Sequence, residues 1–320
     1  MNLLVTGGCG FIGSNFIRHV INKKQVCKLV NLDSLSYAGN LNNVEEFDNH
    51  EKYMFQEVNL KDYSDVYDTF YKHDITHVVH LAAETHVDNS ILAADAFIES
   101  NVVGTFNLIK CAQKFKIKRL HHVSTDEVYG HLNKGDNKFS EDTAYDPRNP
   151  YSASKASSDF LIRAYFNTHE LPITISNCSN NYGPNQHQEK FIPTIIRSIL
   201  EEDKIPVYGE GKNIRDWIYV KDHCRALWSI LTKGKLGETY LVGANCEKTN
   251  LEIIYEICRI FKVSHKKYIK YVKDRLGHDF RYAINSKKIQ KELEWAPKTK
   301  LQDGLKKTIK YYARNFNKGY

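Results

Sequence analysis

Short runs of β-branched and apolar residues alternate with amphipathic stretches through the first half of the chain. Asn2–Thr6 is short and mostly apolar, as a strand buried on both faces should be. Phe11–Ile21 carries apolar residues at helical spacing, and Val26–Leu32 and Tyr53–Val58 read as strands. A helix is expected near Asp62–Tyr71, a strand at His77–Leu81, a long helix over Ala93–Phe115 and a strand at Leu120–Val123. Tyr151–His169 is helical in pattern, and Pro172–Ile175 leads a further strand.

This alternation with short connections predicts an α/β fold of the Rossmann type, a doubly wound parallel sheet with helices on both faces. After Asn177 the pattern changes: Asn181–Tyr182–Gly183–Pro184 and Gly209–Glu210–Gly211 signal turns between shorter elements. Ile214–Val220 and Asp222–Leu231 read as one more strand and helix, expected to rejoin the first sheet. From about Gly237 the chain mixes helices (Leu251–Phe261, Leu301–Tyr312) with two short strands. Residues 1–178 with 212–236 are therefore expected to form the larger domain. Residues 179–211 with 237–320 are expected to form a smaller mixed α/β lobe, with a ligand between the two.

Composition narrows the classes. The 320 residues are enough for a large core, and no apolar stretch approaches the ~20 residues needed to cross a bilayer. MNLLVTGG lacks the features of a secretory signal. Seven cysteines, none in a CxxC pair, fit reduced thiols rather than a disulfide framework or a metal site, so a cytoplasmic protein without metal is expected. The net charge of +7 is spread along the chain, and the Lys-rich C-terminal stretch alternates with apolar residues. No nucleic-acid-binding motif accompanies it, so the charge suits small anionic ligands.

The chemistry gathers at three places. Gly7, Gly10 and Gly13 form a G-x-x-G-x-x-G run between the first strand and first helix. Such a turn admits a pyrophosphate at a helix N-terminus. Asp33 ends the second strand 20 residues after Gly13. There it can accept from both ribose hydroxyls and repel a 2′-phosphate, which favours NAD over NADP. Tyr151 and Lys155 are four apart at the start of a helix and so share one face. An ammonium beside the phenol, with the positive nicotinamide of the cofactor nearby, is expected to lower its pKa and make it a proton acceptor. A second Tyr-x-x-x-Lys, Tyr208 to Lys212, contains two glycines and reads as a turn. Finally, Ser124–Thr125–Asp126–Glu127–Val128–Tyr129–Gly130 follows a strand end, where doubly wound sheets place ligands. Thr125 can donate to a substrate oxygen. Asp126 and Glu127 either cap a helix or form an acid/base couple, one protonated and one ionised.

Together these motifs resemble the extended short-chain dehydrogenase/reductases, and within them the nucleotide-sugar 4,6-dehydratases. DSLSYAGN from Asp33, HLAAETHVDNS from His80, NCSNNYGP from Asn177, EKFIP from Glu189, IRDWIYVKDH from Ile214 and DRLGHDFRY from Asp274 extend the likeness along nearly the whole chain. The Asp126–Glu127 pair is the distinguishing element, since related epimerases keep Tyr and Lys but usually lack it. The resemblance implies conversion of dTDP-glucose or UDP-glucose to the 4-keto-6-deoxy sugar nucleotide. In that scheme Tyr151 takes the C4 hydroxyl proton, Lys155 tunes Tyr151 and Thr125 holds the C4 oxygen. Glu127 takes the C5 proton and Asp126 protonates the departing C6 hydroxyl.

For NAD the resemblance implicates, besides the glycines and Asp33, Phe11, Ile12, Leu35, Ser36, Asn59, Leu60, Leu81, Ala83, Ser100, Tyr151, Lys155 and Cys178. For the sugar nucleotide it implicates Thr85, Thr125, Asn177, Lys190, Phe191, Pro206, Tyr208, Arg215, Asn250, Arg275 and His278. Three positions depart from the usual pattern: Asn59 for Asp, Ser100 for Thr and Leu276 for Pro. The segment between Gly130 and Glu141 is also short. By the same resemblance a homodimer is expected, formed through the Tyr151 helix and the 93–115 helix. The alternatives are a UDP-sugar 4-epimerase or another extended short-chain dehydrogenase, against which the acid pair argues, and a non-catalytic NAD-binding regulator, which typically loses the Tyr or Lys.

Overall fold

The computed structural model describes residues 1–274 and 278–315. Twelve strands run in chain order: β1 (Asn2–Thr6), β2 (Lys28–Asp33), β3 (Tyr53–Glu57), β4 (His77–His80), β5 (Arg119–Thr125), β6 (Ile173–Cys178), β7 (Asn180–Tyr182), β8 (Ile205–Tyr208), β9 (Ile214–Tyr219), β10 (Thr239–Val242), β11 (Glu247–Thr249) and β12 (Ile269–Val272). Seven of them form one parallel sheet in the order β10-β6-β5-β4-β1-β2-β3. The chain winds outward from β1 to β3, then restarts on the other side of β1 at β4. The resulting switch point lies between β1 and β4, where strand-end loops diverge and leave a crevice.

Helices cover both faces, which is why the central strands are buried on both sides. One core packs Leu4, Val30, Phe70, Val78, Leu108 and Leu120 together; the other packs Leu3, Val5, Phe16, Ile17, Val79 and Leu227. β5 runs two residues past Val123 and β6 three past Ile175, and there Asn177 donates to Thr125 O at 3.1 Å and Cys178 to Ser124 O at 3.5 Å. His121 bridges from Nδ1 to Thr174 Oγ1 at 3.0 Å and from Nε2 to Ser176 Oγ at 3.0 Å. Buried polar groups that pair in this way can sit inside a sheet.

The helix expected over 93–115 is continuous winding of uneven pitch. A short turn at Asp95–Phe97 leads into a wide π-type stretch at Ile98–Gly104 and then a regular helix at Thr105–Lys114. The wide stretch brings Ser100 into the crevice. It also aims Asn101 at the Glu84 backbone, accepting from its N–H at 2.8 Å and donating to its carbonyl at 3.0 Å. Such widened turns often serve functional sites.

The smaller lobe holds a three-stranded sheet, β11-β9-β7, and a parallel pair, β12-β8. Its core includes Ile192, Ile196, Trp217, Ile254, Ile257 and Leu305. The strand expected to rejoin the large sheet, 214–220, instead pairs with β7 and β11 as β9. The return is made by β10, within the segment assigned above to the smaller lobe. Among the described residues three short strands, rather than two, follow residue 237.

Trp295 ties the C-terminal segment to the large domain. It is buried among Ile218, Ala226, Ile230 and Tyr240, and its indole N–H donates to Asp222 O at 3.1 Å. Trp295→Ala should cost about 3–5 kcal/mol in equilibrium unfolding; a loss below ~1 kcal/mol would show that this segment does not anchor the fold.

Candidate active site

The crevice is lined by the loops that follow β1 to β6, and its chemistry begins at the first of them. Gly7 has φ +70°, and a Cβ there would lie 2.7 Å from the Ala82 nitrogen. A Cβ on Gly13 would lie 2.1 Å from the Gly7 carbonyl oxygen. Only glycine fits this turn, which curls under the N-terminus of the Phe11–Val20 helix. Gly10 occupies the cap with no side-chain hydrogen bond, so the first-turn N–H groups are open to an anion. At the end of β2 the Asp33 carboxylate is braced by the backbone, accepting from Cys9 N and Leu35 N, both at 2.9 Å. Leu35 adopts φ +51° to do this and is not among the residues lining the crevice. Phe11, Ile12, Ser36, Asn59, Leu60, Leu81, Ala83, Ser100 and Cys178 all line it. Asn59 Oδ1 accepts from Lys61 N at 3.0 Å, so an amide fills this turn as well as a carboxylate. A glycine cradle and an immobilised carboxylate at one rim are a fitting donor and acceptor set for a dinucleotide.

The far end of the crevice holds Thr125, Asp126, Glu127, Tyr151 and Lys155. Thr125 ends β5 and caps a single 3-10 turn at Asp126–Tyr129, its hydroxyl accepting from Glu127 N at 3.3 Å. The cap reading of this motif is therefore correct for Thr125, while both acids still face the crevice. Tyr151 enters on the Pro150–His169 helix, which starts with proline and a reciprocal cap between Asn149 and Ser152. The nearness of the Thr125 side chain favours the ionised phenol. Lys155, one turn on, donates to Val123 O at 2.9 Å.

Burial separates the two acids. Asp126 is pushed far above the usual carboxylate range by desolvation, then by the Glu127 and Asp216 charges, and its Oδ2 has no hydrogen-bond partner among the described residues. Glu127 is also raised by burial, but Arg215 and Lys190 draw it back down. Both carboxyls are raised, and Asp126 the more strongly of the two. Tyr151 departs from expectation. Burial, followed by the Glu127 charge, raises the phenol well above its ordinary value, outweighing the lowering expected from Lys155. Burial also lowers Lys155, with the Asp159 charge acting against it.

The residues implicated for a sugar nucleotide divide into groups. Thr85, Thr125 and Lys190 line the crevice. Asn177 lies beneath it, donating to Thr125 O at 3.1 Å. Phe191 stacks on Trp217, and Pro206 and Tyr208 sit in β8. The second Tyr-x-x-x-Lys does form a turn, with Gly209 and Gly211 at positive φ. Arg215 in β9 lies over the Tyr282 ring at 4.3 Å and donates to Asp279 O at 3.0 Å. Asn250 opens a helix and donates its backbone N–H to Asn213 O, and Asn213 in turn bonds Asp279 O. His278 pairs with Asp274 at 2.6 Å. Phe191, Pro206, Tyr208, Arg215, Asn250 and His278 do not line the crevice itself; Arg215 reaches it through its charge on Glu127. Arg275 and Leu276 lie outside the described residues.

The crevice also takes in residues that motif reading passed over, among them Glu84, Ser179, Asn180, Asn181, Gln186 and His187. Ser179 Oγ, Asn180 Oδ1 and Gln186 Oε1 are buried without partners among the described residues. The polar cluster in NCSNNYGPNQHQ was the available signal.

A glycine cradle after β1 and a Tyr-x-x-x-Lys helix beside the ends of β5 and β6 define an extended short-chain dehydrogenase/reductase. The family model described as GDP-mannose 4,6 dehydratase matches residues 4–308. A dTDP-glucose 4,6-dehydratase from Escherichia coli is 46% identical over 340 aligned positions, covering 99% of this chain and 94% of its own. A crystal structure of dTDP-glucose 4,6-dehydratase from Streptomyces venezuelae with NAD and TYD bound superimposes with a TM-score of 0.95 at 39% identity, covering 99% and 98% of the two chains. One from Bacillus anthracis in complex with NAD gives 0.92 at 42%, with the same coverage. The chain belongs to the nucleotide-sugar 4,6-dehydratase family, alongside the dTDP-glucose 4,6-dehydratases.

The position of Asp126 has a measurable consequence. A carboxyl whose folded pKa is raised contributes stability that is complete below its unfolded value of 3.8 and declines as pH rises through the folded value. Asp126→Asn cannot ionise, so its melting temperature should gain on that of the parent as pH rises above about 4, at ~1.4 kcal/mol per pH unit within the window. A constant difference across pH would show that Asp126 carries no raised pKa.

Proposed function

We propose that the protein is an NAD-dependent hydro-lyase that converts dTDP-glucose to its 4-keto-6-deoxy derivative and water, a step in deoxysugar formation of the rhamnose type. The observation that carries this reading is the Asp126–Glu127 pair beside Tyr151 and Lys155 in one crevice. A dehydrogenase or epimerase needs only the second pair. The names of the relatives support thymidine over uridine.

When bound, NAD would lie along the Gly7–Gly13 cradle with its ribose at Asp33, and it would supply a two-electron acceptor at C4, then a donor at C6, ending unchanged. The protein's own groups move the protons. Tyr151, steadied by Thr125, takes the proton of the C4 hydroxyl, and the Lys155 charge stabilises the phenolate. The resulting C4 ketone acidifies C5–H, which makes it removable by a carboxylate. Glu127 is the base, because Arg215 and Lys190 favour its ionised form. Asp126, held protonated, gives its proton to the C6 oxygen so that water rather than hydroxide leaves. The proton on Glu127 returns to C5 as C6 is reduced, and the one on Tyr151 replaces the proton given by Asp126. Protons and electrons balance without an outside reactant.

The protein is further proposed to be a homodimer in the cytoplasm. Ile98, Val103 and Phe160 stand exposed on the 98–114 and 150–169 helices, the two expected at the interface. All seven cysteines are free thiols, and no described helix is long and apolar enough to cross a membrane.

The direct test is 4-ketosugar formation, with kcat/KM compared for dTDP-glucose and UDP-glucose. Wild-type protein should favour the thymidine substrate; simple epimer formation would overturn the reading. Glu127→Gln should still reduce NAD but lose dehydration by about 10²–10⁴-fold, whereas Tyr151→Phe should slow the first reduction itself. Dehydration by Glu127→Gln at the normal rate would remove its role as base. Phe160→Glu should convert a dimer to monomers in light scattering. An unchanged mass would place the interface elsewhere.

A further inference from the structure

Lys155 is a buried ammonium whose only hydrogen bond among the described residues is to a neutral carbonyl. An uncompensated charge in such a place is costly. One turn further along the same helix stands Asp159, fully buried. The spacings of four from Lys155 and eight from Tyr151 place the three on one helix face.

Asp159 is the hub of a network under the active site. Its Oδ2 accepts from Ser124 Oγ at 2.9 Å, Tyr145 OH at 2.8 Å and Asn177 Nδ2 at 3.3 Å. Its Oδ1 lies 3.1 Å from His122 Nε2. Ser124 directly precedes Thr125, and Asn177 also holds the Thr125 carbonyl. One carboxylate therefore links the helix that bears Tyr151 and Lys155 to the ends of β5 and β6. Burial opposes the ionised form of Asp159, and His122, then Lys155 and Tyr145, outweigh it and hold the carboxyl below its ordinary value. His122 itself is held neutral by burial, with the Lys155 charge adding to the effect. Asp159 has two cationic candidates beside it, His122 at 3.1 Å and Lys155 one turn back on its own helix.

Resting on the function proposed above, we infer that Asp159 is a positioning residue of the active site: it places a buried negative charge one helical turn from Lys155 and, through Ser124 and Asn177, fastens the Tyr151 helix to Thr125. It touches neither sugar nor cofactor in this role. The groups facing the pair are His80 and His122 from β4 and β5, Cys178 from β6, and Tyr129, Tyr145 and Arg163 around the network. Burial holds His80 neutral, and the raised thiol and phenols are neutral too. None can replace the carboxylate.

Asp159→Asn keeps the shape and a carbonyl acceptor but removes the charge. Without it Lys155 loses its proton more readily and Tyr151 ionises less readily. The ascending limb of kcat against pH should then move up by about one unit, with roughly tenfold lower kcat at neutral pH and KM within about twofold. A second readout is free of turnover. A lysine whose folded pKa is depressed makes the protein more stable as pH rises between the folded and unfolded values. The melting-temperature deficit of Asp159→Asn should therefore narrow as pH rises towards the unfolded lysine value. Tyr145→Phe, which removes a hydrogen bond to the same carboxylate but leaves its charge, should melt lower with an unshifted pH profile. Asp159→Glu should restore the profile. A profile for Asp159→Asn that superimposes on wild type overturns the inference. If that variant does not fold, a shifted profile in Asp159→Glu does so instead. Absence of 4-ketosugar from the wild-type protein would refute the proposed function, whereas the melting experiment would still judge the Lys155–Asp159 pair.

Discussion

A parallel strand that ends inside a protein delivers its last side chains to a place water reaches poorly, and β5 delivers Thr125, Asp126 and Glu127 there. Two adjacent carboxyls cannot both ionise easily in such surroundings. The structure resolves the conflict by unequal company: Arg215 acts on both acids, but Lys190 adds to it at Glu127, while Asp126 faces Glu127 and Asp216 and keeps an oxygen without a partner among the described residues. Much of the surrounding architecture serves this arrangement. The smaller lobe brings Arg215 on β9 and Lys190 ahead of the Phe191–Leu200 helix, so its docking is part of the electrostatics as well as the shape.

The large domain was legible because its signals are local. Apolar runs of strand length, a glycine turn between strand and helix, and an acid at the second strand end each report one element without help from distant sequence. The chemically distinctive residues were legible for the same reason: Thr125 to Glu127 are contiguous, and Tyr151 and Lys155 are one turn apart. All five face one crevice. Of the residues assigned to NAD by resemblance, only Leu35 stands outside its lining, and it braces Asp33 from behind.

What escaped reading depends on partners far along the chain. The polar ends of β5 and β6 look like loop until Asn177 is seen to meet the Thr125 carbonyl and Cys178 that of Ser124, more than 50 residues away. β9 has the burial of a strand of the main sheet, yet nothing in its residues says that it pairs with β7 and β11 while β10 closes the sheet. The widened turn at 98–104 is set by Asn101 reaching Glu84 and Ser154. The phenol of Tyr151 is raised by the protein groups alone, because spacing gives neighbourhood whereas desolvation depends on everything stacked above the site; the lowering is expected from Lys155 together with the nicotinamide charge.

The chain passes between its two halves several times. It leaves the large sheet after β6, returns through the Val220–Lys233 helix to β10, departs again for β11, and comes back to the large domain with the Lys287–Leu293 helix before ending on the smaller one. A protein divided by one hinge could exchange its substrate half by a single fusion. Here no single junction separates the halves, so swapping specificity between such proteins by recombination would have to replace interleaved segments together. Changes of substrate are accordingly more accessible to substitution in individual loops than to the trading of whole modules.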